Sequence, residues 1–287
     1  MKKILKKIMP EPIKKKYHAY NQKKLKQRVA SLPKLSEDML AEIIIGKLLV
    51  NKDDTVFVHS SIDKLNLGFP FYNTLNILME IVGAGGTLIF PTFPKLTSYK
   101  FLKQNEIFKQ KRTPSYMGIL SEFARRHSQA IRSLHPTKSV VAIGKNAEEI
   151  TSHHQLSKRP YDKNSPFYKA YELGGKAIGL GVKTTYFSAV HVVDDLLPDK
   201  MPLNPYHDEL LTGRCIDINK NEIEVQTYAH NMDNMLFDLP KYFKRNIEPG
   251  LCQDLNIDGM NFFRADLKPC FDKMIKLANK GITIYKY

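Results

Sequence analysis

No apolar run in these 287 residues approaches the roughly 20 that a membrane-spanning helix needs, so no span is expected. The basic start is not followed by the apolar stretch of a signal peptide, and a secretory leader is not expected either. Cysteine is scarce: Cys215, Cys252 and Cys270 are odd in number and lack metal-type spacing. That pattern reads as three reduced thiols in a cytoplasmic protein, not as a disulfide framework. The chain has no Gly-x-Ser-x-Gly elbow, no phosphate-cradling P-loop and no Gly-x-Gly-x-x-Gly fingerprint. Their absence argues against the common hydrolase, nucleoside-triphosphate and dinucleotide chemistries. No internal repeat is visible, and no low-complexity tract lies beyond the first thirty residues.

Acidic residues are missing from one place in particular. Residues 1–30 hold eleven Lys/Arg against Glu11 alone, which accounts for ten of the +15 formal charges. Residues 1–30 therefore read as a cationic arm and residues 31–287 as a single, mildly basic domain. In the arm, Ile4, Leu5, Ile8 and Met9 recur at helical spacing among lysines. This suits an interfacial membrane helix or a partner-binding helix, with a solvated tail as the plainer alternative. No aromatic-basic recognition motif follows, so no nucleic-acid partner is expected.

At 43% hydrophobic residues the remainder is rich enough to bury a core. Ser36 is placed to cap a helix whose Leu40, Ile43, Ile44 and Leu48 form an apolar face. Residues 55–58 read as a buried strand, 73–82 as a helix stopped by Gly83-Ala-Gly-Gly86, and 87–90 as the next strand. This βαβ grammar predicts an α/β fold: a largely parallel or mixed central sheet flanked by helices, with ligand loops at the strand carboxyl ends. Residues 92–112 read as a long surface loop. A helix is expected from Thr113 to about Arg126, with Thr113 as its cap and Pro114 in its first turn. Further on come strands at 138–143 and 176–182, a helix opened by Ser165-Pro166, and a hairpin over 214–225. Helices near 233–245 and 269–279 and a last strand at 281–285 complete the expectation.

Chemistry-bearing residues concentrate between Ser133 and Asp195. His191 is expected to open a helix capped by Ser188, which puts Asp194 and Asp195 at i+3 and i+4, the spacings that share a helical face. A carboxylate there fixes an imidazole tautomer and supports a general base; the alternative is a surface histidine beside two solvated aspartates. Spacing leaves open which aspartate is the partner. His135 sits in Leu-His-Pro-Thr, where bonding to local backbone competes with a catalytic part. His59 ends a buried strand and reads as structural more readily than catalytic, while Ser60 and Ser61 beside it offer hydroxyls and N–H groups to a ligand. His153-His154 look exposed and receive no role. A zinc site from His135, His191 and Asp195 lacks any compact ligand motif.

Val58-His-Ser-Ser61, Gly83-Ala-Gly-Gly-Thr-Leu-Ile-Phe-Pro-Thr-Phe93, Thr113-Pro-Ser-Tyr-Met-Gly118, Ser133-Leu-His-Pro-Thr-Lys-Ser139, Asn164-Ser-Pro-Phe167 and Leu173-Gly-Gly-Lys176 occur in that order. Together they resemble the aminoglycoside 3-N-acetyltransferase family, also called the antibiotic N-acetyltransferase family, over about residues 35–200. The resemblance implies that family's own α/β fold, acetyl-coenzyme A or another acyl-coenzyme A as co-substrate, no metal, and a primary amine of an aminoglycoside or amino sugar as acceptor. It implies that Ser60, Ser61, Thr113, Met117 and Gly118 line the coenzyme A channel. It also implies that His135 lies near the reaction centre and that His191 is the catalytic histidine, with Asp194 standing where the family has the Glu of His-x-x-Glu. Thr185-Tyr-Phe-Ser188 departs from the family's usual segment before that histidine.

The expectation is thus a cytoplasmic, coenzyme A-dependent N-acyltransferase. A nucleotide-linked amino sugar for a surface glycan is the alternative acceptor, because a basic protein attracts anions more readily than cationic drugs. In that version residues 1–30 would touch the inner membrane face or a glycosyltransferase. A non-catalytic binding protein on the same scaffold is the alternative of a different class.

Overall fold

The computed structural model describes residues 10–286; the arm positions Ile4, Leu5, Ile8 and Met9 lie outside the described residues. Helix α1 (Glu11–Ala30) comes first, and Arg28 at its end donates to Gly259 O. Helix α2 (Glu37–Gly46) starts as expected, with Ser36 Oγ accepting from Met39 N, and buries Leu40, Ile43 and Ile44. Strand β1 (Thr55–Ser60), helix α3 (Asn73–Val82) and strand β2 (Thr87–Pro91) form the expected βαβ unit. Gly83 closes α3 at φ +64°, a conformation that costs a side-chain-bearing residue steric strain.

Helix α4 (Ser98–Lys103), strand β3 (Ile107–Lys109), helix α5 (Ile119–Arg125), strand β4 (Ile131–Arg132), strand β5 (Val140–Gly144) and helix α6 (Ala147–Thr151) follow. Then come helix α7 (Pro166–Glu172), strand β6 (Lys176–Leu180) and helix α8 (His191–Leu196). The long hairpin β7 (Tyr206–Ile216) and β8 (Glu222–His230) precedes helix α9 (Leu239–Asn246), strands β9 (Cys252–Ile257) and β10 (Met260–Asp266), and helix α10 (Leu267–Ala278).

Seven strands make the main sheet in the order β4-β5-β2-β1-β6-β10-β9. Only β2, β1 and β6 run parallel to one another; β5 and β4 on one side, and β10 and β9 on the other, join antiparallel. The sheet is therefore mixed around a short parallel centre. Alternation along β1 explains the layers. Val56 and Val58 face α2, α3 and α5, while Phe57 faces Phe167 of α7 and the packing of α8 to α10. Both faces are covered, which is why the central strands read as continuous apolar runs. A second sheet, β3-β7-β8, holds its own apolar layer of Phe101, Leu102, Phe108, Leu134 and Cys215.

Three local expectations are corrected. Residues 92–112 are not an irregular loop: α4 and β3 lie within them. Ser98, Phe101, Leu102 and Phe108 are buried against the second sheet, a signal too sparse among lysines to show periodicity. Helix α5 starts at Ile119, not near Thr113, and its cap position is Gly118; Thr113 Oγ1 instead accepts from Lys109 N at 2.8 Å. Residues 281–285 form no strand, only an isolated bridge between Thr283 and Lys286.

One buried cation ties these loops to the sheet. Arg132 is 7% exposed and donates to Thr92 O (2.6 Å), Thr113 O (2.5 Å), Gln110 O (3.1 Å), Thr92 Oγ1 and Ser139 Oγ (both 3.2 Å). Its fork geometry satisfies five acceptors, three of them fully buried. Arg132→Met should cost about 3 kcal/mol, because those oxygens lose their donors in place. Equilibrium urea unfolding checks this, and a loss below about 1 kcal/mol would contradict it.

Candidate active site

The carboxyl ends of the parallel strands, together with the end of β8, assemble the site. Residues Ser188–Val190 form a short 3-10 turn that passes into α8, so His191 and Asp194 fall one turn apart. Ser188 is not a cap: its Oγ is buried and unpartnered. His191 Nδ1 lies 2.8 Å from Asp194 Oδ2, and both side chains are almost fully buried. A carboxylate at Nδ1 makes that nitrogen the N–H donor and leaves the Nε2 lone pair for a proton. Asp194 Oδ2 also accepts from the Tyr285 hydroxyl at 2.6 Å. Burial and the neighbouring Asp194 push the Tyr285 phenol well above its usual range, so it stays protonated and donating.

Asp195 faces elsewhere. Its carboxyl accepts from Tyr161 N (2.8 Å) and from the Tyr206 hydroxyl (2.8 and 3.0 Å), with Arg159 at 3.9 Å. Burial pushes Asp195 up to about 8 in spite of those donors. It braces the loop at 159–161 and the start of β7 against α8. The geometry thus selects Asp194 as the partner of His191.

The other histidines differ in kind. His135 is fully buried; its Nδ1 accepts from Thr137 N and Lys138 N, and its Nε2 donates to Thr227 Oγ1 at 3.2 Å. Burial holds it well below the usual imidazole range. With both nitrogens engaged by neutral partners it has no lone pair for a substrate proton. It fastens β8 to the 135–138 turn.

His154, expected to be exposed, is also buried. It accepts from Ser133 Oγ at 2.9 Å, donates to Pro160 O at 3.1 Å, and stacks on His135 at 4.4 Å. His59 lies among Phe57, Phe187 and Phe263, and burial lowers it to about 3, so it is a neutral core residue. Ring contacts lead from His154 through Phe167 (6.2 Å) and Tyr161 (4.4 Å) to His191 (5.3 Å). His135 and His191 are therefore separated by aromatic packing, and no set of three His, Cys, Asp or Glu side chains among the described residues gathers as metal ligands would.

The channel residues inferred from the resemblance meet at one seam. Gly118 adopts φ +101°, and a Cβ there would sit 3.0 Å from Ser60 O, which brings the 113–118 turn against the end of β1. Ser60 Oγ is buried and has no hydrogen-bond partner among the described residues. Ser61 Oγ donates to Asp63 at 2.6 Å, Met117 is half-buried, and both polar groups of Thr113 are engaged by Lys109 and Arg132. Ser60 and Gly118 thus meet at this seam, with Met117 beside Gly118 in the chain, whereas the Thr113 side chain supports the turn.

Sequence reasoning overlooked several residues around His191. His230 packs edge-on to it at 4.9 Å and Phe237 at 5.7 Å; Tyr206 stacks on His230 at 4.7 Å. The end of β8 breaks its alternation with Ala229 and His230 both buried, a signal that needs the fold to be read. Tyr285→Phe removes one charge-assisted hydrogen bond from Asp194. If His191 is the base, kcat should fall roughly 3–10-fold with KM nearly unchanged. Steady-state kinetics would refute this if KM moved and kcat did not.

Comparison with known proteins gives three findings. The family model described as Aminoglycoside 3-N-acetyltransferase matches residues 57–277. Among curated relatives, an aminoglycoside N(3)-acetyltransferase III of Acinetobacter baumannii is 36% identical over 85 residues, 29% of this chain and 29% of that protein. An aminoglycoside N(3)-acetyltransferase VII of Streptomyces paromomycinus is 26% identical over 159 residues, covering 50% of this chain and 54% of that protein. The chain thus spans from under a third to about half of the length of these curated relatives. Among solved structures, AAC-IIIb in binary complex with CoASH superposes with a TM-score of 0.72 at 18% identity, covering 88% of this chain and 98% of that one. The YokD protein of Bacillus subtilis gives 0.66 at 19%, covering 85% and 98%. At such identities the superpositions speak for the fold.

Proposed function

This chain belongs to the aminoglycoside 3-N-acetyltransferase family, and from that premise we propose that it transfers an acyl group from coenzyme A to a primary amine of an amino sugar or aminoglycoside. The observation that carries the proposal is the His191–Asp194 pair, with Nδ1 held at 2.8 Å. No protein hydrogen bond among the described residues occupies Nε2.

In this reading acyl-coenzyme A supplies a thioester carbonyl, and the acceptor amine attacks it directly. His191 Nε2 accepts the amine proton as the carbon–nitrogen bond forms. Asp194, steadied by Tyr285, stabilises the charged imidazole, and His191 returns the proton to the departing thiolate as the carbon–sulfur bond breaks. Protons balance without a covalent enzyme intermediate. The orphan Ser60 hydroxyl at the end of β1 is the candidate donor to the thioester's developing oxyanion.

The test is release of free thiol from acetyl-coenzyme A, run with kanamycin-type aminoglycosides and separately with amino sugars and their nucleotide conjugates. Acceptor-dependent release with either class supports acyl transfer. Coenzyme A binding with no release for any amine would favour a binding protein on this scaffold.

A further inference from the structure

A cation near the reaction centre has no carboxylate. Lys138, between the His135 turn and β5, is half-buried, and its ammonium lies 4.7 Å from the centre of the Phe93 ring. Elsewhere lysines at comparable positions are matched: Lys176 with Asp54 at 2.7 Å, Lys169 with two carbonyls at 2.6 Å. Lys138 has no Asp or Glu oxygen within ion-pair distance among the described residues. Burying an ammonium without a counter-charge is costly, and here it pushes the group down to about 8.

Its surroundings tie it to the site. Lys138 N donates to His135, whose far nitrogen bonds Thr227 of β8. Three residues along that strand is His230, 4% exposed, with a buried, unpartnered Nε2 and a ring 4.9 Å from His191. Phe93, beneath the ammonium, packs at 6.3 Å on Phe167, which leads through Tyr161 to His191. Meanwhile both local carboxylates are consumed internally, Asp194 by His191 and Tyr285, Asp195 by Tyr161 and Tyr206. The site keeps an unmatched cation and no unmatched anion.

We propose that Lys138 and His230 together form an anion subsite near His191 that takes a phosphate or carboxylate oxygen carried by the substrate. This rests on the reading of His191 as the reaction centre and sharpens it: the substrate presents an anion within reach of the reacting amine or thioester. A polycationic aminoglycoside meets an ammonium there instead of a carboxylate, and an amino sugar bearing phosphate or carboxylate meets its complement.

Calorimetric binding to the full chain separates this from the chemistry. Glucosamine 6-phosphate and UDP-glucosamine are compared with glucosamine, and coenzyme A with pantetheine, for the parent, Lys138→Met and Lys138→Arg. The expected result is a preference of about tenfold or more for the phosphorylated member of one pair, lost in Lys138→Met and restored in Lys138→Arg. Loss within the sugar pair puts the anion on the acceptor, and loss within the coenzyme A pair puts it on the donor. Equal weakening of phosphorylated and phosphate-free probes, or no change in either preference, overturns the subsite. Thiol release with phosphate-free glucosamine reports separately on acyl transfer, so the two readings fail independently.

Discussion

His191→Ala should lower kcat by about 10²–10⁴-fold while coenzyme A still binds. The expectation follows from the pair geometry. Asp194 Oδ2 at 2.8 Å from Nδ1 leaves Nε2 as the lone pair, and His135 and His154, the other buried histidines with full sets of partners, have both nitrogens engaged. Asp195 is already held by Tyr161 and Tyr206, and His230, the adjacent imidazole with an unpartnered Nε2, has no carboxylate of its own among the described residues to support it as a base. The deficit should persist at a pH where the acceptor amine is already neutral, because its nitrogen still sheds a proton as the carbon–nitrogen bond forms. His191→Gln serves as a second variant that fills the buried space. If both variants kept kcat within threefold of the parent, His191 would not be the base.

Phe167→Ala should destabilise the protein by about 3–5 kcal/mol. Phe167 is fully buried and lies between layers, with ring contacts to Tyr161 at 4.4 Å, Phe57 at 5.2 Å, His154 at 6.2 Å and Phe93 at 6.3 Å. Its removal opens a cavity where a central strand, α7 and the active-site floor meet, and tightly packed aromatic neighbours collapse poorly into such a space. For a domain of this size the melting temperature should drop by roughly 6–20 °C. Scanning calorimetry reads it directly. A shift under about 2 °C would mean that the ring cluster contributes little. Phe167→Leu, which keeps most of the volume, should fall well short of the Ala variant.

Much of the scaffold is legible locally because short-range rules govern it. Ser36 and Ser165 cap their helices with their own oxygens, and Gly83 ends α3 in a positive-φ conformation. The apolar runs of β1 and β2 announce strands covered on both faces. The i, i+3 spacing of His191 and Asp194 is a property of any α-helix, so one turn of sequence suffices to place imidazole and carboxylate together. By contrast, α4 and β3 owe their structure to burial against β7 and β8, which are more than a hundred residues away along the chain. Thr113 looked like a cap because Thr-Pro is a helix-opening dipeptide. The carbonyls of Gln110 and Thr113 and the hydroxyl of Thr92 instead gather around Arg132, and the helix starts at Ile119.

The sequence alone determined the central βαβ unit, the His191 helix and the two candidate carboxylates, because each depends on residues within a few positions of one another. Tertiary structure decided which aspartate serves His191, since Tyr206 and Tyr285 arrive from distant segments to occupy Asp195 and Asp194 respectively. It also decided that His135 and His154 are satisfied struts, that His230 stands beside His191, and that Lys138 has no counter-charge. Hydrogen-bond satisfaction and desolvation are sums over everything that surrounds a side chain. No window of sequence contains those neighbours until the fold has brought them together.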